Sequence, residues 1–306
     1  PDVADLIRRT WGHTDLLPLQ AEAISAALAG RDTLVVLPTG GGKSLCYQVP
    51  PLVAGRTDVV VSPLIALMKD QVDGLVANGY PAAALHSLMT PEEQWAVEAR
   101  LADGEYRLVF VAPERLVTPA FLRLAERRGV GAFAVDEAHC ISQWGHDFRP
   151  EYRQLAVLKD RFPGASVHAF TATATERVRR DIVEQLRLTD PLVLVGRFDR
   201  ANLTYRIRPR IDLEAQLLAV LGQHAGEGAI VYCLGRADTE SLAGKMQAHG
   251  VRAAAYHAGL EAGVRRDVQE AFLGEQLDVV VATVAFGMGI DRSNVRLVVH
   301  AAVPKS

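Results

Sequence analysis

Short, almost uninterrupted runs of valine, alanine, leucine and phenylalanine recur along the first two thirds of the chain, at 33–37, 58–62, 108–112, 132–135 and 167–170. Such runs are too short for helices and show no polar alternation, as expected of strands buried on both faces. Longer stretches with helical spacing separate them. Within one of these, Thr90, Pro91 and Glu93 supply an N-cap, an N1 proline and a capping-box glutamate, which predicts a helix running to about Leu101. Strands alternating with helices predict an α/β fold with a mostly parallel sheet, because parallel neighbours need crossover connections. The pattern breaks at 195–203 and resumes with apolar runs at 229–233, 253–256, 279–282 and 297–300. Two domains are therefore predicted, 1–200 and 201–306, the second shorter and lacking the last elements of the first if the two folds are alike.

Composition agrees with two sizeable cores: 306 residues, 49% hydrophobic and 23% charged. No apolar run approaches the ~20 residues of a membrane span, and the N-terminus has no basic segment followed by an apolar one. A soluble, cytoplasmic chain with no membrane partner is the expectation. Cys46, Cys140 and Cys233 lie far apart, without zinc-ligand spacing, so reduced structural thiols and no zinc in this segment are expected. A net charge of −3 supplies no global attraction to nucleic acid, so any binding must come from local patches. A first residue other than methionine and an end just after a strand-like run suggest a piece of a longer protein.

Candidate chemistry begins at Leu37-Pro38-Thr39-Gly40-Gly41-Gly42-Lys43-Ser44, between a predicted strand and a predicted helix. In that setting glycines let backbone N–H groups close around phosphates, the lysine neutralises them, and the serine hydroxyl serves magnesium. Leu37 stands where the strict phosphate-loop pattern has glycine. Asp136 and Glu137 end another apolar run, where one carboxylate can hold magnesium and its neighbour can orient and deprotonate water. Alone, such a pair is an ordinary solvated strand end; with the loop upstream it points to nucleotide hydrolysis.

Thr39 to Ser44, Asp136 to His139 and Thr171-Ala172-Thr173 resemble motifs I, II and III of the DExH helicases. The segments 45–48, 62–71, 112–116, 140–150, 256–260 and 282–290 extend the likeness over nearly the whole chain and resemble the RecQ family of DNA helicases in particular. The resemblance implies two tandem RecA-like domains that bind ATP and Mg2+ between them, with single-stranded DNA crossing both. It implies ATP-driven 3′ to 5′ translocation and unwinding in recombination and repair. Its substrates would be single-stranded and tailed or forked duplex DNA, and its partners a single-stranded DNA-binding protein and a topoisomerase. The protein would be a monomer, nucleoid-associated if bacterial. Lys43, Asp136 and Glu137 would be catalytic; Thr39, Gly40, Gly41, Gly42, Lys43 and Ser44 would hold nucleotide; Ser44 and Asp136 would hold magnesium.

Segment 140–150 is similar to the aromatic-rich loop of the RecQ family, and it also reads physically. Trp144, Phe148 and Tyr152 are interleaved with His146, Arg149 and Arg153. Bases stack on such rings while cations hold the backbone; Phe148 and Tyr152 could equally anchor the next helix in the core. Trp144, Phe148, Arg149, His139, Thr171, Thr173 and Thr283 are the candidate DNA-binding or coupling residues. Thr171 and Thr173 serve as a relay or merely as helix caps. Upstream, the segment ending at Gln20 resembles an adenine-reading motif, with His13 and Leu17 where tyrosine and arginine are usual. The amide's donor and acceptor suit adenine.

In the second domain Thr283, Gly287 and Gly289 resemble motif V and Arg236 lies in a likeness of motif IV, while Leu234-Gly235, Asp291-Arg292 and Ala301-Ala302 depart from the usual residues. His257 reads as a structural histidine or a phosphate contact. The family's motif VI, whose arginines reach the γ-phosphate, would follow the last predicted strand and is not in this sequence, so the chain alone is expected to bind ATP and turn it over poorly. The competing class is a nucleotide switch that hydrolyses without translocating; no guanine-reading N-K-x-D motif is present, and a second α/β domain suits a motor better.

Overall fold

A computed structural model describes residues 3–145, 147–197, 202–284, 286–287, 290 and 292–303. The chain divides into two compact units, Pro1–Leu203 and Thr204–Ser306. In the first, seven strands form one sheet: β1 (Thr33–Val36), β2 (Asp58–Val61), β3 (Ala82–Leu85), β4 (Leu108–Val111), β5 (Ala132–Val135), β6 (Ser166–Thr171) and β7 (Leu192–Val195). Their order is β3-β4-β2-β5-β6-β1-β7, and every pairing is parallel.

Side chains along each strand alternate between two cores. Leu34, Val36, Val59, Val61, Phe133 and Val135 enter one cluster, while Val35, Val60, Phe110 and Ala134 enter the other. Burial on both faces explains the lack of polar alternation in the sequence. The predicted helix is present as Pro91–Ala102, with both capping-box bonds: Glu93 N–H donates to Thr90 Oγ1 at 3.2 Å and Thr90 N–H donates to Glu93 Oε2 at 2.8 Å. Two strands escaped the sequence pattern. β3 reads Ala-Ala-Ala-Leu, and alanine favours helices; β7 lies at the opposite edge, with Val193 and Val195 exposed, and its last residue opens the stretch read as a break.

The second unit carries a four-stranded parallel sheet, β8 (Gly228–Tyr232), β9 (Ala253–Tyr256), β10 (Val279–Ala282) and β11 (Val295–His300), in the order β11-β8-β10-β9. Again the faces separate, with Ala229, Val231, Val279 and Val281 in one cluster and Ile230, Val280, Ala282 and Phe286 in another. Arg292 is buried here, donating to the carbonyls of Phe272 and Leu277 at 2.7 Å each and lying over the Phe272 ring. Among the described residues no helix is long and apolar enough to cross a membrane.

One buried acid ties β1 to the elements around it. Asp32 accepts from Lys159 Nζ at 2.8 Å, from Val167 N at 2.8 Å and from Thr189 N at 2.7 Å. Nearby, burial pushes His168 down to about 4, and the neutral ring sits between Thr33 Oγ1 and Ser166 Oγ. Asp32→Ala would leave the lysine and two N–H groups without their acceptor. A loss of about 3–5 kcal/mol is expected, read as a lower urea midpoint; a loss below about 1 kcal/mol, the range of surface pairs, would contradict this role.

Candidate functional site

β1 ends at Val36, and the chain turns through residues 37–42 into the helix Lys43–Ala54. Gly40 and Gly42 hold φ of 76° and 72°, in the left-handed region that favours glycine. A Cβ on Gly41 would lie 2.8 Å from the Pro38 carbonyl oxygen. The loop is therefore wound too tightly to accept side chains at these positions. Lys43 points into it, donating to Leu37 O at 3.0 Å and Pro38 O at 3.5 Å. Burial lowers the Lys43 pKa, with Glu137 and Asp136 acting in the opposite direction. Thr39 lies exposed on the loop, and Ser44 is half-buried in the first turn of the helix.

Gln20 opens the helix Gln20–Leu28, following Leu19 at φ 70°. Its side chain is buried and serves the loop: Oε1 accepts from Leu17 N at 2.7 Å, and Nε2 donates to Gly42 O at 2.9 Å. His13 and Leu17 are exposed.

Because β5, β6 and β1 are neighbours in a parallel sheet, the segments leaving them emerge on the same side. Asp136 follows β5 and is buried; Glu137 takes a left-handed conformation, φ 48°, and its N–H donates to Asp136 Oδ1 at 3.0 Å. Burial, and then the Glu137 carboxylate, push the Asp136 carboxyl up to about 7, against the Glu137 N–H, Lys43 and His139, which lower it. Tyr152 is fully buried, and its hydroxyl donates to Asp136 O at 3.0 Å. That side chain is a core anchor whose polar end fixes the backbone at the acidic pair.

From Glu137 a polar chain leads away. His139 Nδ1 lies 3.3 Å from Glu137 Oε2 and 2.9 Å from Thr171 Oγ1, at the end of β6. The Thr171 hydroxyl donates to Thr173 O at 3.1 Å, so toward His139 its oxygen is an acceptor, and Nδ1 carries the proton. Thr173 is exposed and caps no helix; Thr175 does that, accepting from Val178 N at 3.4 Å.

The aromatic segment grows out of the same turn. Trp144 is 57% exposed, with the Arg177 guanidinium 3.3 Å from its ring centre. Phe148 lies under Arg153 at 5.4 Å. Arg149 is engaged within the protein, donating to Asp147 Oδ2 at 3.1 and 3.0 Å and to Pro63 O at 3.2 Å. His146, Gly289 and Asp291 lie outside the described residues. Thr283 follows β10 and donates its N–H to Tyr256 O at 3.1 Å. His257 is buried and paired with Glu240 at 2.9 Å, in keeping with a structural histidine.

Two residues have no signal in the sequence: Arg177 and Asp147 are single charges whose roles appear only on folding. Tyr152 takes the core-anchor reading of the two that the sequence leaves open. All three cysteines are free and buried. Folding also brings ligand atoms of His139, Cys140 and Asp147 within 4.8 Å of one another, although their spacing matched no metal pattern. The loop makes this possible by doubling back, with Arg149 N donating to Cys140 O at 2.8 Å.

Residues 17–182 match the DEAD/DEAH box helicase family, and residues 212–306 match the helicase conserved C-terminal domain. The chain is 48% identical over 303 residues to the ATP-dependent DNA helicase RecQ of Pasteurella multocida, covering 99% of this chain and 48% of that protein. Against the protein of the same name from Haemophilus influenzae it is 45% identical, covering 100% of this chain and 49% of the relative. The chain thus spans about half the length of these relatives. In fold it is similar to the DUF1998 helicase MrfA bound to DNA, with a TM-score of 0.74 at 17% identity over 99% of this chain and 47% of that one. Two RecA-like α/β domains, a glycine loop followed by an acidic strand end, and these relatives lead to one conclusion: the chain belongs to the DEAD/DEAH box helicases, with RecQ sequences as its relatives along nearly its whole length.

Proposed function

We propose that this chain is the ATP-driven core of a DNA helicase that moves 3′ to 5′ along single-stranded DNA and opens tailed or forked duplexes in recombination and repair. The observation that carries this reading is the polar chain from Glu137 through His139 and Thr171 to Thr173, which leads from the acidic pair to the exposed segment after β6, just before the Arg177 that covers Trp144. A nucleotide switch needs no such link. RecQ relatives, whose names state ATP-dependent DNA helicase, support the same reading.

The site's own chemistry suits ATP and magnesium. Gly40 and Gly42 hold left-handed backbone and Gly41 packs against the Pro38 carbonyl, so the loop keeps a tight winding that side chains would prevent and that suits backbone N–H groups closing on phosphate oxygens. Asp136, held near 7 by burial, gains from a neighbouring cation; Ser44 and Asp136 would hold magnesium. Bound magnesium supplies charge neutralisation at the phosphates. Lys43 exchanges the Leu37 and Pro38 carbonyls for phosphate oxygens. Glu137 takes the proton from the attacking water as its oxygen bonds to the γ-phosphorus and the bond to the ADP oxygen breaks. Gln20 uses one lone pair and one N–H within the protein and keeps another of each for adenine.

DNA would meet Trp144, Phe148, Arg149 and Thr173 in the first domain and Thr283 in the second. Arg177 covers one face of Trp144, and a base would stack on the other or displace the guanidinium. His139 would carry the state of the acidic pair to Thr171. A monomer working at the nucleoid with a single-stranded DNA-binding protein and a topoisomerase completes the proposal, on family resemblance alone.

Three outcomes test it. The Asp136 pKa rises from 3.8 to about 7 on folding, so the folded state holds a proton more tightly. The stability linked to it is complete below about pH 4 and is lost as pH rises through about 7. Asp136→Asn should therefore raise the thermal midpoint of the metal-free chain at pH 8 more than at pH 4; equal shifts would contradict the burial argument. Glu137→Gln should retain ATP affinity while single-turnover hydrolysis falls by about 10²–10⁴-fold, and loss of binding would refute the division of roles. Trp144→Ala should reduce stimulation of ATP turnover by single-stranded DNA more than basal turnover, whereas an equal fall in both would favour a purely structural tryptophan.

A further inference from the structure

The side chains of His139, Cys140 and Asp147 form a cluster outside the phosphate-binding chemistry, where the aromatic segment folds back on the acidic motif. Cys140 Sγ is 3.8 Å from His139 Nε2 and 3.7 Å from Asp147 Oδ2. In tetrahedral zinc coordination, bonds of about 2.3 Å to sulfur and about 2.0–2.1 Å to nitrogen or oxygen put ligand atoms roughly 3.5 Å apart. Both edges of the cluster are within a few tenths of an ångström of that separation. The third edge, from nitrogen to oxygen, closes within the 4.8 Å that spans the whole group.

The orientation of the ring suits a cation as well. With Nδ1 facing Thr171 Oγ1, the His139 ring turns Nε2 toward the sulfur. That is the arrangement of metal-bound histidines, whose other ring nitrogen donates to an oxygen of the surroundings. The Cys140 thiol donates to Asp147, so a proton now bridges sulfur and carboxylate. Arg149 grips the same carboxylate oxygen and orients it from outside.

We propose that His139, Cys140 and Asp147 form a binding site for a borderline-soft divalent cation, zinc by preference, which bolts the aromatic segment to the acidic motif. Binding replaces the thiol proton: the sulfur–hydrogen bond breaks, the proton leaves to solvent, and the thiolate pair forms the bond to the cation. Thiolate and carboxylate balance the two positive charges of the ion, and a water fills the fourth position. Because His139 and Cys140 sit in the turn after Glu137 while Asp147 sits beyond Trp144, an occupied site holds Trp144 in place. The consequence for DNA coupling rests on the function proposed above; the site itself does not.

Cobalt(II) titration of the whole chain tests it, reading the thiolate-to-cobalt charge-transfer band and the visible bands of tetrahedral cobalt. One equivalent should bind, zinc should bleach the spectrum, and Cys46→Ser should change nothing. Cys140→Ser should abolish the charge-transfer band, and Asp147→Asn should weaken binding by at least about tenfold. No charge-transfer band in the parent chain, or one that survives Cys140→Ser, overturns the proposal. Should Cys140→Ser fail to fold by near-ultraviolet dichroism, Asp147→Asn decides, since its side chain is 39% exposed; unchanged affinity there overturns the site. Zinc should also suppress DNA stimulation of ATP turnover in the parent and not in Asp147→Asn, and equal suppression in both would overturn the link to the aromatic segment.

Discussion

Parallel pairing brings the carboxyl ends of β5, β6 and β1 to one edge of the first sheet, and the candidate chemistry hangs from those three ends. Strands about 4.8 Å apart place a segment leaving β5 roughly 10 Å from one leaving β1, close enough for Lys43 and the acidic pair to feel each other's charge. Between them β6 delivers Thr171, which is why His139 finds a hydroxyl within 2.9 Å. A slip of one residue in the β5 register would send these side chains to the other face. Phe133 and Val135 fill one core and the small Ala134 the other, so a slip would misfit both faces, and the core and the chemistry are not independent.

Charge is the second constraint. Two adjacent carboxylates at a buried strand end cost free energy, visible in the Asp136 carboxyl lifted to about 7. The protein offsets this locally, with the Glu137 N–H on Asp136 Oδ1 and with Lys43 and His139 nearby. Lys43 in turn donates to two backbone carbonyls, a weaker substitute for anionic oxygens. Both groups would be better served by a phosphate and a divalent cation than by what they touch now. The same logic extends to the aromatic segment, where Arg177 on Trp144 occupies a face suited to a base.

Much of this is legible in the sequence. Uniform apolar runs identified the central strands because burial on both faces removes polar alternation, and the loop 39–44 and Asp136–Glu137 stood out because their chemistry is written in adjacent residues. Less local features were hidden. β3 is mostly alanine, which reads as helix, and β7 is a half-exposed edge. Gln20 suggests adenine through its amide, whereas its bonds to Leu17 N and Gly42 O brace the glycine loop. Asp32 acts through a partner 157 residues away and Arg177 through a tryptophan in a different segment, separations that no pattern of neighbours encodes.

The central claim is that the acidic pair and the aromatic segment communicate through His139. A double-mutant cycle measures this directly, using His139→Ala, Trp144→Ala and the pair, with stimulation of ATP turnover by single-stranded DNA as the readout. If the link runs through His139, the double variant should lose no more stimulation than the more damaging single variant. Additive losses, with each substitution exerting its full effect in the presence of the other, would show that the two residues act independently and would contradict the account.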